Sequence, residues 1–262
     1  MAFVNFEKKG RIAYITFNRP ERLNALGAEL SAELREAEAE FARDDNLWAA
    51  IYTGTGRAFC AGMDLKEAAE RGRETGSIMG AASAGLGGWG NRARTVRDHW
   101  KPTIAAVNGI AYGGGVEISL GCDIRICSEN ATFAVSEVKR GLTPYPALFD
   151  LPRLVPWGDA MWMLLSGEPV DAQEALRIGL VSRVVPLDEL IPTATRMAES
   201  ICENGPLAMR AIKQLARLGA EMPADYALSL GQALLSRVWS SQDAREGLSA
   251  FAEKRKPVYK GM

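Results

Sequence analysis

Histidine is almost missing from this sequence: one is present, His99, and it precedes Trp100-Lys101-Pro102 outside any glycine-rich motif. A Ser-His-Asp or Cys-His nucleophile needs an imidazole at hydrogen-bond range, so His99 reads as structural and that class of hydrolase is disfavoured. Cysteine is scarce as well. Cys60, Cys122, Cys127 and Cys202 lack the paired CxxC spacing of a zinc or redox centre and are too few to staple the chain, so they read as reduced thiols. Charge of one sign is not in excess: 31 basic and 32 acidic residues leave a formal charge of -1 and a pI near 6.0. No global field draws in nucleic acid or an anionic membrane, and any anionic ligand must be met by local groups. Apolar stretches are broken by Gly, Pro or charge well before the roughly 20 residues that a membrane span requires. Residues 1–9 alternate like a strand and do not have the pattern of a secretory leader. The expectation is a soluble, cytoplasmic protein with no nucleic-acid or membrane partner.

What is present is a chain of 262 residues, enough for one main domain with an appendage. Val4 to Glu7 and Ile12 to Phe17 alternate around Gly10 as a hairpin that Asn18-Arg19-Pro20 ends. Leu30, Leu34, Ala37 and Phe41 form one apolar stripe on a predicted helix, and Trp48 to Tyr52 is a short buried strand. Between Glu67 and Arg94 no period is sustained, which predicts a loop or short helical pieces bordering a ligand. Thr103 to Val107 is a buried strand, Gly113 to Leu120 a helix opened by glycines, and Ile124 to Cys127 another strand. Alternating strands and helices argue for an α/β fold with parallel pairing. From Asp159 onward the pattern is mainly helical, with one strand-like break at Leu180 to Val185. Two late stripes, Leu207-Ala211-Leu215-Leu218 and Leu228-Leu230-Leu234-Leu235, fit either a subunit contact or a cap on the chain's own core.

Two segments carry chemistry. Arg57-Ala58-Phe59-Cys60-Ala61-Gly62-Met63-Asp64-Leu65 places small residues between a strand and a loop, where main-chain N–H groups can approach a ligand. Taken alone it also fits an ordinary glycine turn. Asn108-Gly109-Ile110-Ala111-Tyr112-Gly113-Gly114-Gly115-Val116-Glu117 leads from a buried strand into a helix, with glycine N–H groups at the positive end of the helix dipole. Such fixed donors can stabilise charge growing on a carbonyl oxygen by several kcal/mol. No Lys-Ser or Lys-Thr follows the glycines, and three adjacent glycines do not match the spaced dinucleotide fingerprint, so both nucleotide loops are excluded.

In this order and spacing the two segments resemble the paired signatures of the enoyl-CoA hydratase/isomerase superfamily, the crotonases. The likeness extends to Asn18-Arg19-Pro20-Glu21-Arg22-Leu23-Asn24-Ala25-Leu26, to Gly179-Leu180-Val181 with Val184-Val185-Pro186, and to Phe251, Lys254, Arg255, Lys256 and Pro257. It implies a crotonase (ClpP-like) spiral of ββα units over residues 1–200 and a C-terminal helical trimerisation module over 201–262, in a homotrimer or a hexamer made of two trimers. It implies oxyanion donors at the N–H groups of Met63 and Gly114, and catalytic acids at Glu117 and Glu137. The second acid lies in Phe133-Ala134-Val135-Ser136-Glu137-Val138. Two acids point to a hydratase, because water must be held and deprotonated and C2 must receive a proton, whereas isomerases often keep one. The resemblance further implies that Glu117 acts mainly as base toward water and Glu137 as proton donor to C2. It places CoA adenine by Ala58 and Ala61, the nucleotide and pantetheine arm along Arg22, Leu23 and Ala25, and further substrate contacts at Asp64, Leu65 and Lys66. The partner is an acyl-CoA thioester, with CoA part of the substrate and neither metal nor separate cofactor required. Rival readings are a carnitinyl-CoA-type dehydratase or an enoyl-CoA isomerase, and, outside catalysis, an RNA-binding homologue, which would show a basic stripe or missing acids. After Glu137 the stretch Gly141-Leu142-Thr143-Pro144-Tyr145-Pro146-Ala147-Leu148-Phe149 is stiffer and bulkier than the glycine-rich stretch of many hydratases. It predicts a restricted acyl group.

Overall fold

The computed structural model describes residues 2–76 and 99–262. Its first hairpin is β1 (Val4–Lys9) against β2 (Ile12–Phe17), antiparallel, turned at Gly10 with φ +59°. From there the chain alternates between two sheets. One is a six-stranded sheet ordered β1-β2-β3-β5-β7-β10, parallel apart from the first pair. It adds β3 (Ala49–Gly54), β5 (Thr103–Val107), β7 (Ile124–Ser128) and β10 (Arg183–Val185). The other is a four-stranded sheet of β4 (Ala58–Cys60), β6 (Ile110–Tyr112), β8 (Thr132–Ala134) and β9 (Val170–Asp171). Each of β3, β5 and β7 is followed at once by a strand of the smaller sheet, so the chain winds as a spiral of paired strands.

Period-two alternation decides what each face of the large sheet covers. Ala13, Ile15 and Phe17 of β2 join a core with the stripe of α1 (Ala28–Arg43): Leu30, Leu34, Ala37 and Phe41. Ile12 and Tyr14 point the other way and, with Ala49, Ile51, Ile104, Ala106 and Ile126, meet Leu190, Ala194 and Ala198 of α7 (Leu187–Cys202). Both faces are buried, as parallel sheets require.

Beyond α7 come α8 (Pro206–Gly219), α9 (Ala224–Trp239) and α10 (Gln242–Ala252). Asp123, just before β7, anchors α8 through Lys213 at 2.8 Å and Arg217 at 2.7 Å. Lys213 also donates to Lys101 O at 2.7 Å. His99 is structural, as the sequence suggested. Its ring meets Phe41 edge-on at 4.9 Å, and burial beside Lys213 and Lys101 holds its pKa down to about 3.

The structure departs from the sequence reading in three elements. Leu65–Thr75 is a helix, α2, which is one of the short helical pieces the sequence allowed but starts before Glu67. It buries no apolar stripe; Asp64 caps it by accepting from Lys66 N–H at 3.2 Å and Glu67 N–H at 3.3 Å, and Arg71 pairs with Glu67 one turn earlier. The remainder of that predicted loop, through Arg94, lies largely outside the described residues. The strand expected over Leu180 to Val185 is confined to Arg183–Val185, because Leu180 and Val181 turn inward from α6 (Ala172–Arg177) as core residues. The two-residue β9 is too short to leave a period at all.

Candidate active site

Asn24 is buried where the first loop meets the strands. Its side chain accepts from Arg19 N–H at 2.8 Å and donates to Thr55 O at 3.0 Å and Ala58 O at 2.8 Å. From this loop Leu26 forms a parallel bridge with Met63: Leu26 N–H donates to Gly62 O at 2.7 Å and Asp64 N–H to Leu26 O at 3.1 Å. In that pattern the N–H of Met63 points to the opposite side from Leu26.

On that side stands the start of α3 (Gly114–Gly121). A Cβ on Gly62 would lie 3.1 Å from Gly114 N and 2.7 Å from Tyr112 O, and one on Gly115 would strike the Cys60 carbonyl. Glycine is therefore what lets β4 and the helix start approach. Gly113 N–H donates to Ala134 O at 2.8 Å, whereas Gly114, the first residue of the helix, has no acceptor within the helix for its own N–H. The structure thus sets the Gly62–Met63 segment against the Gly114 end of the helix, from about 50 residues away in the chain.

The two glutamates flank this point. Glu137 lies in a single 3-10 turn, Ser136–Arg140, after β8. A Cβ on Gly113 would sit 2.7 Å from Glu137 Oε1, so the carboxylate rests against the very peptide that supplies Gly114 N–H. Its Oε2 is closed off from solvent and meets no hydrogen-bond donor among the described residues. Burial raises the Glu137 pKa, opposed by its own backbone N–H and by Arg140. Glu117, one turn into α3, accepts from Ala147 N–H at 3.4 Å. Burial and then the neighbouring Glu137 push its pKa up to about 8, against the pull of the Ala147 and Tyr145 N–H groups. The two acids are therefore unequal: both are shifted upward by burial, and Glu117 further by Glu137.

The residues named for CoA form a lip beside Met63. Ala61 N–H donates to Leu23 O at 3.0 Å, which ties the first loop to the end of β4. Arg22, Leu65 and Lys66 are exposed; Leu23 and Ala61 are half-buried; the Ala25 and Ala58 side chains are buried. The Ala58 carbonyl already accepts from Asn24 and Asn108. Asp64 is buried in an ion pair with Arg19 at 2.9 Å besides capping α2, which gives it a structural task in this lip. Sequence reasoning missed Ala147 N–H as the group that holds Glu117. No residue type marks it, since any backbone would serve, and only the packing of α4 (Ala147–Leu154) on α3 brings it there.

A spiral of paired strands with two half-buried glutamates near a glycine-opened helix start is the architecture of a crotonase-type enzyme. The sequence matches the enoyl-CoA hydratase/isomerase family over residues 7–262, and the chain belongs to that family. It is 40% identical over 263 residues to an (E)-benzylidenesuccinyl-CoA hydratase of Thauera aromatica, covering 98% of this chain and 99% of that protein. It is 39% identical over 255 residues to a short-chain-enoyl-CoA hydratase of Clostridium acetobutylicum, covering 97% and 95%. The crystal structure of an enoyl-CoA hydratase from Bacillus anthracis superposes with a TM-score of 0.90 at 34% identity, covering 99% of this chain and all of that one.

Gly113 tests the geometry directly, because φ is +51° there and a side chain would meet Glu137. Gly113→Ala is expected to lower stability by about 1–3 kcal/mol in urea unfolding, with Glu137 displaced in a crystal structure of the variant.

Proposed function

We propose that this enzyme is an enoyl-CoA hydratase in which Met63 N–H and Gly114 N–H hold the thioester carbonyl oxygen while Glu117 and Glu137 manage one water. The observation that carries this reading is the pair of half-buried glutamates, Glu137 against Gly113 and Glu117 one turn into the helix that Gly114 opens, with Glu137 raising the pKa of Glu117. Addition places the water oxygen on C3 and a proton on C2, and the electron pair of the C2–C3 bond passes through an enolate whose oxygen the two donors stabilise. The pair must then present one carboxylate and one carboxylic acid. In the resting site the proton is on Glu117, so the division of labour with Glu117 as base and Glu137 as donor to C2 requires that proton to cross to Glu137 as water binds. No metal or separate cofactor enters this scheme. The lip of Arg22, Leu23, Ala25, Ala58, Ala61, Leu65 and Lys66 is the proposed path of CoA, with Arg22 and Lys66 as the cations free to meet its phosphates and Asp64 fixing the lip.

The acyl group is proposed to be restricted. Tyr145 and Phe149 stand 46% and 49% exposed beside the segment that holds Glu117, their rings edge-to-face at 5.5 Å. They form a stiff apolar rim where many hydratases have glycines. We also place a homotrimer, or a hexamer of two trimers, at the 201–262 module. Its α9 has no buried residue, and Leu228, Trp239 and Phe251 are 66%, 77% and 86% exposed, more apolar surface than a lone chain leaves in water. Sedimentation should give the mass of three or six chains, and a monomer at micromolar concentration would refute this.

Loss of enoyl-thioester absorbance with crotonyl-CoA tests the reaction. Wild type should hydrate it, and Glu117→Gln and Glu137→Gln should each fall by roughly 10²–10⁴-fold. The pH profile should decline above about 8 as Glu117 loses its proton, and on the acid side above the ordinary carboxylate range as Glu137 gains one. A long-chain enoyl-CoA should turn over poorly; equal rates for short and long chains would remove the restricted pocket. Binding of CoA esters without hydration would remove the reaction assigned here.

A further inference from the structure

The two sides of the site are held differently. Behind the acids stand helices: α4 packs on α3, and α5 (Trp157–Ser166) packs on the 3-10 turn of Glu137. Residues 61–64, which carry the Met63 N–H, are irregular chain between β4 and α2 and are held by single hydrogen bonds. Ala61 N–H donates to Leu23 O at 3.0 Å and Asp64 N–H to Leu26 O at 3.1 Å. Gly62 is buried, and its N–H donates to the sulfur of Cys60, two residues earlier, at 3.4 Å. Of these four N–H groups, only that of Met63 meets no acceptor among the described residues. Cys60 is fully buried, and a Cβ on Gly115 would strike its carbonyl and come within 3.1 Å of its Cβ. This thiol therefore lies between the two glycine segments.

We propose that Cys60 is a positioning residue for the Met63 donor, its sulfur fixing the peptide on one side of Gly62 as Leu26 fixes the peptide on the other. The need follows from Gly62 itself. Its φ is +83°, and without a Cβ it leaves both adjoining peptides free to rotate. Gly62 O, in the peptide that carries Met63 N–H, accepts from Leu26 N–H at 2.7 Å. The N–H of the preceding peptide has the Cys60 sulfur as its acceptor. A serine hydroxyl makes the same bond to the N–H two residues on in an ST turn, and here a thiol takes that part. Without the sulfur a buried N–H loses its partner, and the peptide turns to find another, carrying Met63 N–H with it.

This inference rests on the proposed role of Met63 N–H, and its test separates the two. Three variants of the full-length protein are compared with wild type: Cys60→Ser keeps an acceptor, Cys60→Ala removes it, and Cys60→Val removes it while filling the space. Hydrogen exchange of the segment 58–64, read by mass spectrometry without ligand, should gain one fast amide in the alanine and valine variants and none in the serine variant. In the same two variants kcat with crotonyl-CoA should fall by roughly 3–10-fold at nearly constant KM. Placed in the Glu117→Gln/Glu137→Gln background, they should move the carbonyl stretch of bound carbon-13 labelled crotonyl-CoA toward its free value, and Cys60→Ser should hold it. A folded alanine or valine variant with wild-type kcat and an unmoved band overturns the role of Cys60, whatever its exchange. A serine variant as impaired as the alanine one also overturns it, since the loss then belongs to packing. If exchange responds as expected but crotonyl-CoA shows its free carbonyl stretch even with Cys60 intact, the oxyanion reading fails and the hold of Cys60 on Gly62 stands.

Discussion

The site depends on a close approach of main chain to main chain that no Cβ would permit. Gly62 lies against the Gly113–Gly114 peptide, and Gly115 lies against the carbonyl of Cys60. Because these segments end β4 and open α3, the contact sets a strand edge and a helix start side by side. Much else near the site serves this contact. The buried Asn24 ties the first loop to Thr55 and Ala58, and the bridge from Leu26 fixes the orientation of Met63. Asp64 then pairs with Arg19 and starts α2.

Electrostatics follows from the same packing. A helix start favours anions, but Glu117 lies one turn inside, where burial outweighs the donors from Ala147 and Tyr145. Glu137 rests against Gly113, where a side chain would meet its carboxylate. The fold thus leaves the two acids unequal, the condition that the proposed hydration, with one acid and one base at neutral pH, requires.

Most of this was legible in the sequence because it is carried by residue type at fixed spacing. The strand Thr103–Val107 is uniformly buried and reads as such, and the glycines at 113–115 mark both the turn and the helix start. Glu117 and Glu137 were identified through the resemblance those motifs carry, and the structure brings both to Gly113–Gly114. What was not legible is carried by tertiary position. Ala147 acts through its backbone, which any residue could offer, and only the packing of α4 on α3 brings it to Glu117. The bounds of α2 were not legible because it is stabilised by its cap and a half-buried ion pair, and a helix that buries no stripe leaves no period to read.

The central claim is that Met63 N–H and Gly114 N–H polarise a thioester carbonyl. It is tested most directly by the infrared carbonyl stretch of crotonyl-CoA, carbon-13 labelled at C1, bound to the Glu117→Gln/Glu137→Gln double variant so that the ligand survives. The account predicts a band clearly lowered from that of free crotonyl-CoA, because two donors draw electron density onto the oxygen. A bound ligand whose carbonyl stretch equals the free value would contradict it.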